Sequence, residues 1–207
     1  MARAGGQKKL FDSKVNLPSG LLYRPDFITA EEEAELISYI ELLPLEEAEY
    51  GEYKSKRRHY GFGWGYNHDT KEFIPGPPLP PFLTRVQRRI AKWLDLSPKR
   101  VAEALVNEYT PGSPIGWHRD NEAFEHVVGI SLAGWARMRF RPIQKRTEKK
   151  DPKKTVSLEL EPRSAYLMQK DIRWNYQHSV AATRTLRYSI TFRTLPEHFV
   201  ATRIKKS

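Results

Sequence analysis

From Val101 to Thr194 the chain repeats one pattern, short runs in which apolar and polar residues alternate: VAEALVNEY, HVVGISLAG, ARMRFRP, TVSLELEP, SAYLMQ and LRYSITFRT. The runs are rich in Val, Ile, Tyr and Phe and are closed off by Gly, Pro, Asn or Asp, the pattern of many short strands joined by turns. Successive side chains of a strand point to opposite faces, so each run offers one face to a core and one to solvent or a site. Two amphipathic helical stretches come first. Thr29 is a good N-cap, glutamates fill the first turn, and Leu36, Ile37, Ile40 and Leu43 recur at helical spacing until Pro44. After the connector PGPPLPP, the residues Phe82, Val86, Ile90, Trp93 and Leu94 repeat that spacing. The pattern predicts a mainly β, α+β fold: an antiparallel sandwich or jelly roll with two supporting N-terminal helices.

A length of 207 residues fits one domain with appendages. At this size a single core buries roughly 70% of the unfolded chain's surface, so no disulfide or metal is needed to hold it together. Residues 1–20 read as a flexible basic arm, 21–195 as the domain and 196–207 as a basic tail. The chain has no cysteine, which excludes disulfide scaffolds, zinc fingers, iron–sulfur clusters and thiol catalysis and leaves any metal site to His, Asp and Glu. No apolar run approaches the length of a membrane span, and the amino terminus has no secretory pattern. A cytoplasmic protein, or a nuclear one in a eukaryote, is expected, as a monomer without membrane contact.

The charge balance is 35 − 25 = +10, with a pI near 9.7, which favours a polyanionic partner. The charges are also segregated. Nine acidic residues and no basic one lie between Glu31 and Glu52, Lys54, Lys56, Arg57 and Arg58 follow, and Arg141 to Lys154 holds seven basic residues against two acidic.

Chemistry concentrates in three places. In IGWHRDNE, His118 and Asp120 lie two apart, so an extended backbone projects both from one face. His178, in NYQHSV between strand runs, is the best-placed third ligand, and two histidines with one carboxylate form the facial triad of non-haem Fe(II) oxygenases. In RYSITFR, Arg187, Ser189, Thr191 and Arg193 share one face, and an arginine fork binds carboxylates bidentately. Asn107 and Tyr109 share a face just before the HxD element. Each feature alone has an ordinary reading, as a surface histidine, an exposed strand face or a turn.

In this order the residues resemble the AlkB family of Fe(II)- and 2-oxoglutarate-dependent dioxygenases, over about 21–195. The resemblance implies a double-stranded β-helix, a jelly roll over about 101–195, with iron on His118, Asp120 and His178. It implies Arg187 on the distal carboxylate of 2-oxoglutarate, with Asn107, Tyr109, Ser189 and Arg193 completing that pocket. Several relatives place Asn where this chain has Ser189. The implied reaction consumes dioxygen and 2-oxoglutarate and removes an N-linked methyl group, releasing succinate, carbon dioxide and formaldehyde.

The segment KSKRRHYGFGWGY interleaves cations with aromatics, a mix suited to holding phosphates while stacking an extruded base. Its position resembles the family's nucleotide-recognition lid, over about 50–73. Candidate substrate contacts are Arg57, Arg58, Tyr60 and Trp64, together with Glu122, which would face a cationic methylated base. The first reading is demethylation of alkylated DNA or RNA. Two others stay open: a non-catalytic nucleic-acid-binding module with a vestigial metal site, and the same oxygenase chemistry on a protein or small molecule.

Overall fold

A computed structural model describes residues 17–50, 53–67, 69–144, 154–197 and 199. Most of the arm, most of the tail and the lysine-rich segment 145–153 lie outside the described residues. Twelve strands and three α-helices are present among the described residues: β1 (Leu21–Arg24), α1 (Ala30–Ile40), β2 (Glu46–Tyr50), β3 (Tyr53–Asn67), β4 (Glu72–Pro75), α2 (Pro81–Leu94), β5 (Val101–Tyr109), β6 (Ile115–His118), β7 (Val127–Leu132), β8 (Ala136–Pro142), β9 (Val156–Leu160), β10 (Ala165–Met168), α3 (Lys170–Trp174), β11 (Tyr176–Val180) and β12 (Arg187–Thr194). No helix among them is long and apolar enough to cross a membrane.

Every strand pairing is antiparallel. The larger sheet runs β1-β10-β7-β12-β5-β3-β2, with β4 on β3, and the smaller runs β6-β11-β8-β9. One face of the larger sheet packs on the helices: Ala104, Val106, Val128, Ile130, Ile190 and Phe192 meet Leu36 and Ile40 of α1 and Leu83, Val86 and Ile90 of α2 in one core. Each such aliphatic side chain contributes about 1.5–3 kcal/mol on burial. The predicted face split of RYSITFR is what produces this, with Ile190 and Phe192 inside the core and Arg187 and Arg193 on the opposite face.

Helix α1 starts at a capping box, in which the Thr29 hydroxyl accepts from the Glu32 N–H and the Glu32 carboxylate accepts from the Thr29 N–H. Glu32 also pairs with Arg89 of α2, which fixes the two helices together. The helix ends at Ile40, one turn short of the last expected apolar position, and Leu43 still packs on the core. The Asp95 residue after α2 adopts the left-handed conformation that closes helices.

The smaller sheet covers the other face of the larger one. Met138, Phe140, Leu160 and Val180 form a second core with Val127, Tyr166 and Met168. The site lies between the sheets at the edge of this core.

Candidate active site

Strand register lays four rows of side chains across the inner face of the larger sheet. They are Arg57, Tyr109 and Arg187; then His59, Asn107, Ser189 and Ser131; then Gly61, Leu105, Thr191, Gly129 and Tyr166; then Gly63, Glu103, Arg193, Val127 and Met168. The smaller sheet answers with His118 on β6 opposite His178 on β11. His178 is therefore within a strand rather than between strands, while Asp120 lies two residues past the end of β6.

His118, Asp120 and His178 each offer one ligand atom, all within 4.8 Å of one another. The His118 Nδ1–H donates to the Gly116 carbonyl at 2.9 Å, which leaves Nε2 for a metal. Asp120 Oδ2 lies 3.3 Å from His178 Nε2, while Oδ1 accepts from Arg193 Nε and Nη2 at 2.9 and 2.6 Å. Burial pushes the Asp120 carboxyl up, but Arg193 and the two histidines outweigh it and hold the group well below the ordinary range. Burial lowers His178 to about 4. Both groups are thus held in the protonation states that bind metal. Two imidazoles and one carboxylate are a donor set that suits Fe(II) with open coordination positions.

Arg193 makes its contacts with two carboxylates. Its third contact, Nη1 to Glu103 at 2.7 Å, completes a buried carboxylate–guanidinium–carboxylate bridge, so its fork is committed first to the metal ligand. Arg187 is different. It is 1% exposed, its guanidinium lies 4.8 Å over the Tyr109 ring, and Nε donates to Ser131 Oγ at 3.2 Å. Among the described residues its Nη1 has no hydrogen-bond partner, nor has Asn107 Oδ1. A buried guanidinium with donors to spare is costly unless an anion completes it, and a carboxylate is the matching group. Ser189 Oγ lies 3.4 Å from the Tyr109 hydroxyl in the same pocket.

The model of the 2OG-Fe(II) oxygenase superfamily matches residues 20–193. The chain belongs to that superfamily, as an AlkB homologue. It is 30% identical over 190 residues to the alkylated DNA repair protein ALKBH8 homolog of Arabidopsis thaliana, covering 83% of this chain and 53% of that protein. It is 26% identical to the uncharacterized protein L905 of Acanthamoeba polyphaga mimivirus, over 82% of both chains. It is 28% identical to the Xenopus tropicalis tRNA (carboxymethyluridine(34)-5-O)-methyltransferase alkbh8, covering 80% of this chain but 26% of that protein. This chain thus spans about half of the plant relative and a quarter of the frog one. The solved structure of OsALKBH1 superposes with a TM-score of 0.65 at 16% identity, over 86% of this chain and 99% of that one, in agreement with a double-stranded β-helix. The AlkB homologue is an Fe(II)- and 2-oxoglutarate-dependent oxygenase with an intact His118, Asp120, His178 triad.

A cavity of about 510 Å³ opens beside the triad, lined by Arg57, Tyr66, Trp117, Arg119 and Phe124 as well as by His118, Asp120 and Arg193. The other expected substrate contacts divide. Arg57 and Arg58 project from opposite faces of β3, and Arg58 pairs bidentately with Glu108 at 2.8 Å, away from the cavity. Tyr60 lies on the helix side with the core and meets Phe62 edge-on, outside the cavity lining. Trp64 packs with Phe199 and the small core around Phe124. Glu122 pairs with Arg119 at 2.7 Å and lines a neighbouring hollow with Tyr66 and Phe73.

Of the aromatics in KSKRRHYGFGWGY, the one that lines the cavity is Tyr66. Arg57 and Tyr66 are nine residues apart, so strict alternation puts them on opposite faces, yet both line the cavity. Gly63 lies between them at φ +81°, where an added Cβ would sit 1.9 Å from the Ala102 carbonyl oxygen, and this kink turns the strand over. Tyr166 carries no signal in the sequence beyond its place in a strand run. Its ring tip fills the space left by Gly129, where an added Cβ would lie 2.2 Å from the ring, and burial, with the Asp120 charge next, raises its phenol pKa. Buried Arg173 of α3 donates to the carbonyls of Asn121 and Phe124 at 2.6 and 2.7 Å, pinning the loop after Asp120.

Proposed function

We propose that this oxygenase oxidatively demethylates alkylated bases in nucleic acid, within a catalytic unit of about 21–195. The observation that carries the reading is the cavity beside the triad, whose walls combine two cations, Arg57 and Arg119, with the flat rings of Tyr66, Trp117 and Phe124. Such a combination suits a base flipped from its strand, with its phosphates held at the mouth. The names of the plant and frog relatives, which cite alkylated DNA repair and tRNA, point the same way.

Fe(II) fits the triad, and when bound it would supply dioxygen activation and oxidation of a methyl C–H bond, with 2-oxoglutarate as the source of two electrons. The rest falls to the chain. His118 and His178 would bind as neutral imidazoles and Asp120 through Oδ2, which Arg193 orients by holding Oδ1. Arg187 would take the distal carboxylate of 2-oxoglutarate on its unpartnered Nη1, with Asn107, Tyr109 and Ser189 lining the pocket. Tyr66 and Arg57 would hold the base and its phosphate, with the segment of about 50–73, chiefly β3, serving as the recognition lid. Closure over the cavity would exclude water and keep the methyl carbon near the metal.

The test is a panel of DNA and RNA oligonucleotides, each with one methylated base, incubated with Fe(II) and 2-oxoglutarate and read by mass spectrometry. Loss of a methyl group with matching formaldehyde and succinate supports the reading. Succinate formation that no methylated oligonucleotide stimulates overturns it, and moves the substrate to a protein or small molecule.

A further inference from the structure

The outer face of the smaller sheet carries a cationic surface that the metal chemistry does not use. On β8 the inward residues Met138 and Phe140 belong to the core, so Arg137, Arg139 and Arg141 all project outward. Along one strand such neighbours are about 6.6 Å apart. Arg137 pairs with Glu159 of β9 at 2.5 Å. Arg139 and Arg141 have no carboxylate partner among the described residues. Instead their guanidinium groups lie 5.3 and 4.2 Å from the ring of Trp117 on β6. Neutral side chains of the intervening β11 hold them there. Arg139 Nε donates to Ser179 Oγ at 3.2 Å, and Arg141 Nε and Nη2 donate to Gln177 Oε1 at 3.0 and 2.8 Å.

Two like charges are thus fixed side by side on an indole, with planar N–H donors to spare and no counter-charge among the described residues. That arrangement is repulsive by itself and matches a row of phosphodiesters, since a guanidinium fork fits phosphate oxygens. The face is also continuous with the active site. Trp117 lines the cavity and precedes the metal ligand His118, and β6 is the edge strand of its sheet. Between the two, Gly116 leaves the rim low, because a Cβ added there would meet nothing within 4 Å.

We propose that this outer face is a phosphate-binding track for the polynucleotide whose base enters the cavity. Arg139 and Arg141 are its phosphate contacts, and Trp117 is the platform that holds them. The strand leaves the cavity over Gly116 and runs outward across β6. The inference rests on the nucleic-acid reading above and assigns that partner a second contact surface.

The test measures binding of a single-stranded methylated oligonucleotide to the full chain over a series of salt concentrations. For wild type, log affinity should fall linearly with log salt. In the Arg139→Gln/Arg141→Gln variant the slope should flatten by about 1.4, two phosphates at roughly 0.7 each for a single strand. Arg139→Lys/Arg141→Lys, which keeps the charges, should keep the slope while losing part of the affinity. Arg137→Gln, a change at an already paired cation, should alter the slope less. Succinate formation without oligonucleotide should be unchanged in all three, which also shows that the variants fold. A Gln variant that binds with the wild-type slope overturns the track. Loss of the slope in the lysine variant would mean that charge is not what these positions supply, and equal flattening in Arg137→Gln would mean general surface charge; either overturns the track. If wild type binds no oligonucleotide yet makes succinate, the nucleic-acid reading itself fails. Preferential capture of an acidic peptide by this face would reassign the surface to a protein partner and refute the track.

Discussion

The two ends of β12 carry the same residue on the same face to different purposes. At its start, Arg187 is surrounded by a tyrosine ring and neutral hydroxyls and keeps a buried Nη1 without a partner among the described residues. Near its end, Arg193 is gripped by Asp120 and Glu103. An arginine among neutral groups is built to receive an anion from outside, whereas one between two carboxylates is already part of the structure. The lesson is that residue type and facing direction define a candidate, and the charges supplied by neighbouring strands decide its task.

The largest effect should come from breaking the closed end. Arg193→Met leaves two carboxylates buried without their cation, which costs about 3–5 kcal/mol. Urea unfolding should show that loss together with weakened Fe(II) binding. At the open end Arg187→Met removes a charge that no carboxylate needs, so stability in the same assay should hold or rise. Comparable destabilisation by both variants would erase the distinction between the ends.

Overpacking the third row comes next. Gly129→Ala drives a methyl into the Tyr166 ring and should cost about 1–3 kcal/mol in thermal or urea unfolding. Shortening the ring in Gly129→Ala/Tyr166→Leu should recover most of that loss. Failure of the second change to rescue would mean that the ring does not fill the glycine's space.

Part of this was legible before the structure. The HxD pair, the face split of RYSITFR and both helices follow from local periodicity, which a sequence states directly. The Arg193 bridge does not, because Asp120 and Glu103 come from positions 73 and 90 residues away and meet it only through strand pairing. Strands β6 and β11 are short and register-shifted where they pair, so His178 reads as lying between strands. Alternation puts Tyr60, Phe62, Trp64 and Tyr66 on one face of β3, so it cannot tell Tyr66 from Tyr60. Only the kink at Gly63 sends the later ones to the other face.

A smaller effect concerns pH. Burial lowers the pKa of His59, beside the open end, and of His126, whose ring nitrogen contacts Thr194 beyond the closed one. Both fold as neutral imidazoles, so the unfolded chain binds more protons just below its ordinary value of 6.5. Stability should therefore be full above about pH 6.5 and fall as the pH drops toward the depressed folded values. His59→Gln should flatten that fall in unfolding measured across the range. An unchanged slope would exclude His59 as a contributor.

The most direct measurement is calorimetric binding of 2-oxoglutarate and of Fe(II), without oxygen, to wild type, Arg187→Lys and Arg193→Lys. Lysine keeps the charge and loses the fork. The account predicts that Arg187→Lys weakens 2-oxoglutarate at least about tenfold, the worth of one charged hydrogen bond, and leaves Fe(II) affinity in place. Arg193→Lys should instead weaken Fe(II) first. Wild-type affinity for 2-oxoglutarate in Arg187→Lys, or loss of that affinity alone in Arg193→Lys, would contradict the division of labour along β12.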